Sequence, residues 1–242
     1  MHRRESLFPL GEGAGAIVAN GGLSERERRL LNEGAYGLVI CCDGVGKEIL
    51  KGRLQGDLLV GDFDSLEPSV LEELRKRGLP IQIYPAEKDD TDMQLAIDIA
   101  MDRGFQRLDL FGATGGRMDH CLANIMLLYH ILGRGGKGRL IDRCNLILAG
   151  EKQMDFSEEE VRRLLFEPEE KGILYVSLLL LDDCRGITLE GFRYPLKDFD
   201  GKAGETLCIS NEFSEKRGRI FFEEGRLLVI FSKDRPAEGN QI

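Results

Sequence analysis

The chain has 242 residues, 42% hydrophobic and 31% charged, the profile of an ordinary folded protein of one large or two modest domains, which excludes extended disorder. Its 42 Asp and Glu against 33 Lys and Arg exclude a general polyanion-binding surface, so nucleic acid is a poor partner, whereas a phosphate compound held through Mg²⁺ and a few local cations is not excluded. No apolar run reaches the roughly 18 residues of a membrane-spanning helix, and Ser6 to Leu10 is too short and proline-broken for a signal-peptide core. The six cysteines, at 41, 42, 121, 144, 184 and 208, form no C-x-x-C pair and have no histidine at zinc-ligand spacing, so reduced thiols in a cytoplasmic protein are expected.

Residues 1–15 lack periodicity and read as a lead-in. Ala16 to Ala19 is a short apolar strand ending in the turn Asn20-Gly21-Gly22, and Ser24 with Glu27 spells a capping box that opens a helix ending near Gly34. A second strand, Tyr36 to Cys42, ends in Asp43-Gly44. The following Gly44-Val45-Gly46-Lys47 is not a Walker A loop, because Cys41 and Glu48 stand where that loop needs Gly and Ser or Thr. Asp57 to Val60 is the third strand and leads into Gly61-Asp62-Phe63-Asp64-Ser65. Alternation along an extended chain predicts that Asp62 and Asp64 face one way and Phe63 the other. Two carboxylates at a strand's carboxyl end lie where open α/β sheets place their ligands, and oxygen pairs there suit Mg²⁺ and its phosphates. A solvated acidic turn is the plainer alternative.

Pro68 starts a helix to about Arg77, and Pro80 to Tyr84 is strand-like. Next comes Lys88-Asp89-Asp90-Thr91-Asp92, in which Thr91 and Gln94 form another capping box before apolar residues at helical spacing up to Gly104. Acids in a first turn are ordinary, but three of them beside Lys88 favour a site. Leu108 to Phe111 is a strand followed by Gly112-Ala113-Thr114-Gly115-Gly116-Arg117-Met118-Asp119-His120 and an apolar helix over about 119–132. Glycines before a helix let backbone N–H groups approach an anion, and Arg117 adds a planar fork suited to phosphate. His120 stands at the same mouth; His130 reads as structural. Gly133 to Gly138 reads as a flexible connector.

Beyond about Ala149 the texture changes. A short helix over Ser157 to Leu165 precedes strand-forming runs at 173–181, 187–194, 206–213, 219–222 and 226–232, the pattern of a small antiparallel sandwich or barrel. The expectation is an α/β domain with a mostly parallel sheet over 1–147, then an all-β antiparallel domain over 148–242.

The motifs Gly61-Asp62-Phe63-Asp64-Ser65, Lys88-Asp89-x-Thr91-Asp92 and Gly115-Gly116-Arg117-x-Asp119-His120, in this order and spacing, resemble those of thiamine pyrophosphokinases, also called thiamine diphosphokinases. Ser177-Leu178, Gly191-Phe192-x-Tyr194-Pro195-Leu196, Ser210-Asn211-Glu212 and Gly225-x-Leu227-Leu228-Val229 extend the resemblance over nearly the whole chain. It implies a Rossmann-like α/β domain followed by a β-sandwich, and a homodimer whose thiamine site is shared between subunits. It also implies Mg²⁺-dependent transfer of a pyrophosphoryl group from ATP to the hydroxyl of thiamine, with release of AMP.

Carried over, the resemblance makes Asp43, Asp62, Asp64 and Asp92 the Mg²⁺ ligands and Asp62, Asp64, Asp92 and Arg117 the catalytic set. Asp43, Gly44, Thr91, Gly115, Gly116, Asp119 and His120 line the nucleotide and phosphates, while Ser210 and Asn211 contact thiamine. Asp62 and Asp92 are the candidates for orienting or deprotonating the hydroxyl. Two features depart from the family: Asp43-Gly44-Val45-Gly46-Lys47 replaces its common Asp-Gly-Gly-Ala-Asn, and there is no tryptophan, leaving Phe192, Tyr194 or Phe213 to stack on the pyrimidine. The alternatives are a pyrophosphokinase for another alcohol such as a pterin carbinol, a phosphatase of the haloacid dehalogenase type, and a non-catalytic nucleotide or thiamine sensor.

Overall fold

The computed structural model describes residues 13–85, 87 and 89–234; most of the lead-in and Lys88 lie outside them. The described residues form two compact units, 13–143 and 144–234. The change falls just ahead of the 147/148 division expected from texture, which would cut through a strand.

The first unit is a parallel sheet flanked by helices. Its elements are β1 (Ala14–Val18), α1 (Glu25–Glu33), β2 (Leu38–Cys42), α2 (Gly46–Leu50), β3 (Leu58–Gly61), α3 (Pro68–Lys76), β4 (Ile81–Ile83), α4 (Asp92–Asp102), β5 (Arg107–Phe111), α5 (Met118–Gly133) and β6 (Lys137–Ile141). The strand order is β6-β5-β1-β2-β3-β4, with every pairing parallel. The chain therefore winds outward from β1 to β4 and then returns to the other side of β1. That reversal between β1 and β5 is the place where doubly wound sheets open a crevice at their carboxyl ends.

The local signals account for the helix starts. Ser24 and Glu27 make a reciprocal capping box on α1. Thr91 Oγ1 accepts from the Gln94 amide N–H at 3.2 Å on α4, while the Gln94 side chain turns to Asp90. Pro68 occupies the first turn of α3. The central strands β1, β2 and β3 are buried almost throughout, as parallel strands covered by helices must be, whereas β4 at the sheet's edge is exposed.

The connector expected over Gly133 to Gly138 ends in a strand, since Lys137 and Gly138 open β6. Its polar residue Arg139 is buried because it pairs with Asp109 of β5, Nε to Oδ1 and Nη2 to Oδ2 both at 2.7 Å, while the Tyr36 hydroxyl donates to Asp109 Oδ2 at 2.6 Å. A strand whose central side chain is an arginine shows no apolar period, so its burial depends on a partner far away in sequence. Burial first, and the Asp109 carboxylate second, push the Tyr36 phenol far up, so it stays a hydrogen-bond donor.

The second unit contains two antiparallel sheets and one helix. Its elements are β7 (Asn145–Ala149), β8 (Gln153–Ser157), α6 (Glu158–Leu165), β9 (Tyr175–Leu180), β10 (Cys184–Glu190), β11 (Leu196–Gly201), β12 (Asn211–Glu212), β13 (Arg217–Phe221) and β14 (Leu227–Ser232). One sheet runs β12-β9-β14-β7 and the other β11-β10-β13-β8. Phe156 on β8 meets Phe231 on β14 edge to face at 4.8 Å between ring centres, which joins the two sheets through a common core as a sandwich.

Two expected strands are shorter. The run 187–194 breaks at Gly191, whose φ is +77° and where an added Cβ would lie 2.0 Å from the Arg217 carbonyl oxygen. The run 206–213 is extended only at β12, because Ser210 is left-handed with φ +59°. None of the six cysteines is in a disulfide; five are buried and Cys121 is half-buried. No helix among the described residues is long and apolar enough to cross a membrane.

Candidate active site

Three carboxylates converge beyond the carboxyl ends of β2 and β3. One oxygen each from Asp43, Asp62 and Asp64 lies within 4.8 Å of the others. Alternation along a strand is not the cause, since β3 ends at Gly61 and Phe63 is left-handed with φ +60°. Asp62 Oδ1 instead accepts from the Asp64 amide at 3.2 Å, which folds the segment back so that both acids serve one point while Phe63 is buried. Asp43 reaches that point from a turn with φ +39°. A Cβ at Gly61 would stand 3.2 Å from the Asp43 Cα, so a glycine there lets the two strand ends approach. Left-handed non-glycine residues cost of order 1–3 kcal/mol each; two of them border the acidic group.

The donor set fits a hard divalent cation. It contains only carboxylate oxygens, with no nitrogen or sulfur donor, as Mg²⁺ requires. Asp43 Oδ2 accepts from the Ser65 hydroxyl at 2.7 Å, whereas Asp43 Oδ1 is buried without a hydrogen-bond partner. A buried carboxylate oxygen left in that state is open to a cation or a water. Asp92, the fourth expected ligand, begins α4 and is not part of this three-oxygen group. Its carbonyl oxygen accepts from the Cys42 thiol at 3.7 Å, which ties α4 to the end of β2.

The glycine loop after β5 leads into α5. Gly112, Gly115 and Gly116 have φ of +58°, +103° and +65°. Arg117 caps α5 and pairs with Asp119, Nε to Oδ1 at 3.1 Å and Nη2 to Oδ2 at 2.5 Å; both side chains are exposed. The Arg117 hydrogen bond, followed by the His120 backbone N–H, holds the Asp119 carboxyl down at about 2. Asp119 is therefore a permanent anion near neutrality that orients Arg117, not a proton donor. His120 is exposed beside it, and Thr114 Oγ1 donates to Asp142 Oδ2 at 2.9 Å.

The loop after β1, read only as a turn, packs on the glycine loop, and its Asn20 lies against Gly44, next to Asp43. The Ala19 amide donates to the Phe111 carbonyl and the Gly21 amide to the Gly112 carbonyl, each at 2.8 Å. A Cβ at Gly21 would lie 2.4 Å from the carbonyl oxygens of Gly112 and Thr114, and one at Gly112 would lie 2.3 Å from that of Ala19. The two loops thus pack backbone to backbone at the sheet's reversal point. Glu27 sits beneath them, buried, and accepts from Ser24 and from the Gly112 amide; burial first raises its carboxyl above the ordinary value. Sequence offered one signal for this junction, the Asn-Gly-Gly string directly after an apolar strand.

In the second unit Asn211 is buried and its carboxamide is spent on backbone. It accepts from the Tyr194 amide at 2.9 Å and donates to the Tyr194 carbonyl at 2.8 Å. Asn211 therefore holds the Tyr194 loop. Ser210 is exposed, and its amide donates to Ser177 Oγ at 3.0 Å. Of the three candidate aromatics, Phe192 is 3% exposed and packs on Phe213, which in turn stacks on Phe231, whereas Tyr194 is 59% exposed.

Family models for the thiamin pyrophosphokinase catalytic domain and the thiamin pyrophosphokinase vitamin B1 binding domain match residues 30–137 and 163–227. A thiamine pyrophosphokinase of Bacillus subtilis is 38% identical over 176 residues, covering 72% of this chain and 77% of that protein. The chain belongs to the thiamine pyrophosphokinase family. Crystal structures of thiamine pyrophosphokinases from Bacillus subtilis and Geobacillus thermodenitrificans superpose with TM-scores of 0.77 and 0.75 at 33% and 31% identity. They cover 92% and 91% of this chain and 100% and 98% of theirs. Asp43, Asp62, Asp64, Asp92 and Arg117 fall inside the segment matched by the family's catalytic domain, and Tyr194, Ser210 and Asn211 inside that matched by its vitamin B1 binding domain.

Proposed function

We propose that this protein transfers the pyrophosphoryl group of MgATP to the primary hydroxyl of thiamine, giving thiamine diphosphate and AMP. The observation that carries the reading is the three-carboxylate group with its unpartnered Asp43 Oδ1, next to a β1 loop that packs on both Gly44 and the glycine-rich anion loop. The hydroxyl oxygen forms a bond to the β-phosphorus, the bond from that phosphorus to the oxygen bridging to the α-phosphate breaks, AMP carries away that oxygen, and the hydroxyl proton is released. Catalysis is then positioning and charge neutralisation.

Asp43, Asp62 and Asp64 hold Mg²⁺, which when bound neutralises phosphate charge and makes the phosphorus more electrophilic. Gly44, Thr91, Gly115, Gly116 and His120 line the nucleotide and phosphates, and Arg117, oriented by Asp119, offsets charge on the transferred group. Asp92 lies outside the three-oxygen group and orients or deprotonates the hydroxyl. Incubating the protein with MgATP and thiamine tests the reading: AMP and thiamine diphosphate must appear together, and neither without thiamine. A pterin carbinol in place of thiamine tests the alternative acceptor, and free phosphate without AMP would point instead to a phosphatase.

Thiamine is held by the second unit, with Tyr194 as the stacking aromatic. Its exposure and the grip of Asn211 on its backbone support that choice over Phe192 and Phe213. Tyr194→Ala should raise the thiamine KM about tenfold, as loss of an aromatic stacking platform does, while Tyr194→Phe stays near wild type; equal thiamine KM in Tyr194→Ala would reject the assignment. We also propose a homodimer whose thiamine site takes residues from both subunits. Mixing inactive Asp62→Asn with Tyr194→Ala should then restore activity above the sum of the separate proteins, and no recovery after subunit exchange would exclude sharing.

A further inference from the structure

The segment between β1 and α1 carries an unused polar group at the centre of the site. Asn20 stands at the carboxyl end of β1, on the strand where the sheet's winding reverses. Its backbone is set by the flanking bonds from Ala19 and Gly21 to the glycine-loop strand. Its carboxamide lies flat over Gly44: a Cβ on that glycine would fall 2.4 Å from Asn20 Nδ2, 2.7 Å from Cγ and 2.8 Å from Oδ1. Gly44 follows Asp43, one of the three carboxylates, so the amide is placed next to that acid, while its own loop packs on the anion loop. Yet the side chain is exposed and has no hydrogen-bond partner among the described residues. Asn211 shows the contrast, since its carboxamide is buried and spent on backbone.

We infer that Asn20 is a further substrate-contacting residue, whose carboxamide N–H donates to the polyphosphate of the bound nucleoside triphosphate. The inference rests on the proposed use of MgATP. A phosphate chain reaching from the acidic group to the glycine loop passes the β1 loop, which meets the glycine loop and Gly44, and there a donor that brings no net charge to the cation site fits. A carboxamide supplies two N–H groups without competing for the metal as a carboxylate does. The residue precedes the segment matched by the family's catalytic-domain model, which begins at 30. Asn20 is not left-handed, and alanine there introduces no backbone strain.

The test is calorimetric titration of the full-length protein with the magnesium complex of a non-hydrolysable ATP analogue, together with steady-state kinetics and melting curves. Asn20→Ala should weaken analogue binding about ten- to a hundredfold, the range for one hydrogen bond to a charged acceptor, and raise the ATP KM alike. Its thiamine KM and melting temperature should stay at wild-type values. Asn20→Asp, equal in shape but acidic, should bind more weakly still. Unchanged analogue affinity in Asn20→Ala overturns the inference, as does a lowered melting temperature with unchanged affinity, which marks a purely structural residue. Asn20→Asp binding as tightly as wild type overturns it too, because the side chain then serves the cation. Analogue binding is read independently of turnover: a wild type that binds the analogue but forms no AMP with thiamine defeats the reaction reading alone, and a wild type that does not bind defeats both.

Discussion

Asp62→Asn is expected to lower AMP formation roughly 10²- to 10³-fold, the range for removing one group that controls charge at a reacting centre. The fold should survive. Asparagine keeps the acceptor oxygen that takes the Asp64 amide in the native turn, and loss of one of three converging anions relieves like-charge repulsion in the metal-free protein. The melting temperature without metal should therefore match or exceed that of wild type. Adding Mg²⁺ separates the two proteins further. A ligand that binds only the native state raises its stability by mass action, so wild type should show a Mg²⁺-dependent rise in melting temperature that Asp62→Asn largely loses. A folded Asp62→Asn protein with near-normal AMP production would remove Asp62 from the catalytic set.

The largest stability effect is expected at the buried pair under β5 and β6. Asp109 is 3% exposed, Arg139 is 9% exposed, and the carboxylate takes both guanidinium bonds and the Tyr36 hydroxyl. Asp109→Ala removes the carboxylate that takes bonds from a buried guanidinium and a half-buried phenol. Breaking a buried pair in this way costs about 3–5 kcal/mol, which lowers the melting temperature of a chain of this size by on the order of 10 °C. Replacing both partners with apolar residues, Asp109→Leu with Arg139→Met, should cost less than Asp109→Ala, because no charge is then left buried. Thermal melts of the two variants decide the point; a double variant as damaged as Asp109→Ala would show that packing volume, not charge, governs the site.

Much of the first unit can be read locally. Capping boxes, Pro68 and the glycine stops mark helix ends through contacts within a few residues, and apolar runs between them mark strands covered on both faces. The acids and glycines of the site stand at the ends of those strands, so their positions along the chain already group them at one edge of a parallel sheet. The second unit's character as an antiparallel sandwich follows from its closely spaced strand-forming runs.

What local pattern does not carry is any arrangement set by a partner distant in sequence. β6 is hidden in the sequence because Arg139 becomes a core residue only opposite Asp109, thirty positions away. Alternation predicted that Asp62 and Asp64 converge, but the convergence comes from a left-handed Phe63 and a side-chain bond within a turn. Asp43 joins them because Gly61 lets two strand ends touch, and Asp92, equally acidic and equally well placed in sequence, stays outside the group. Residue type made Asn20 read as part of a turn, and the family resemblance made Asn211 a thiamine contact. Tertiary structure assigns the two carboxamides by burial and by what each one touches, spending that of Asn211 on the Tyr194 backbone and leaving that of Asn20 exposed over Gly44. The sequence by itself determined the class of the two units and the chemical inventory of the site, since both rest on short-range periodicity and residue type. Only the tertiary structure decided which members of that inventory meet, since long-range strand order and close backbone approach leave no periodic trace in the chain.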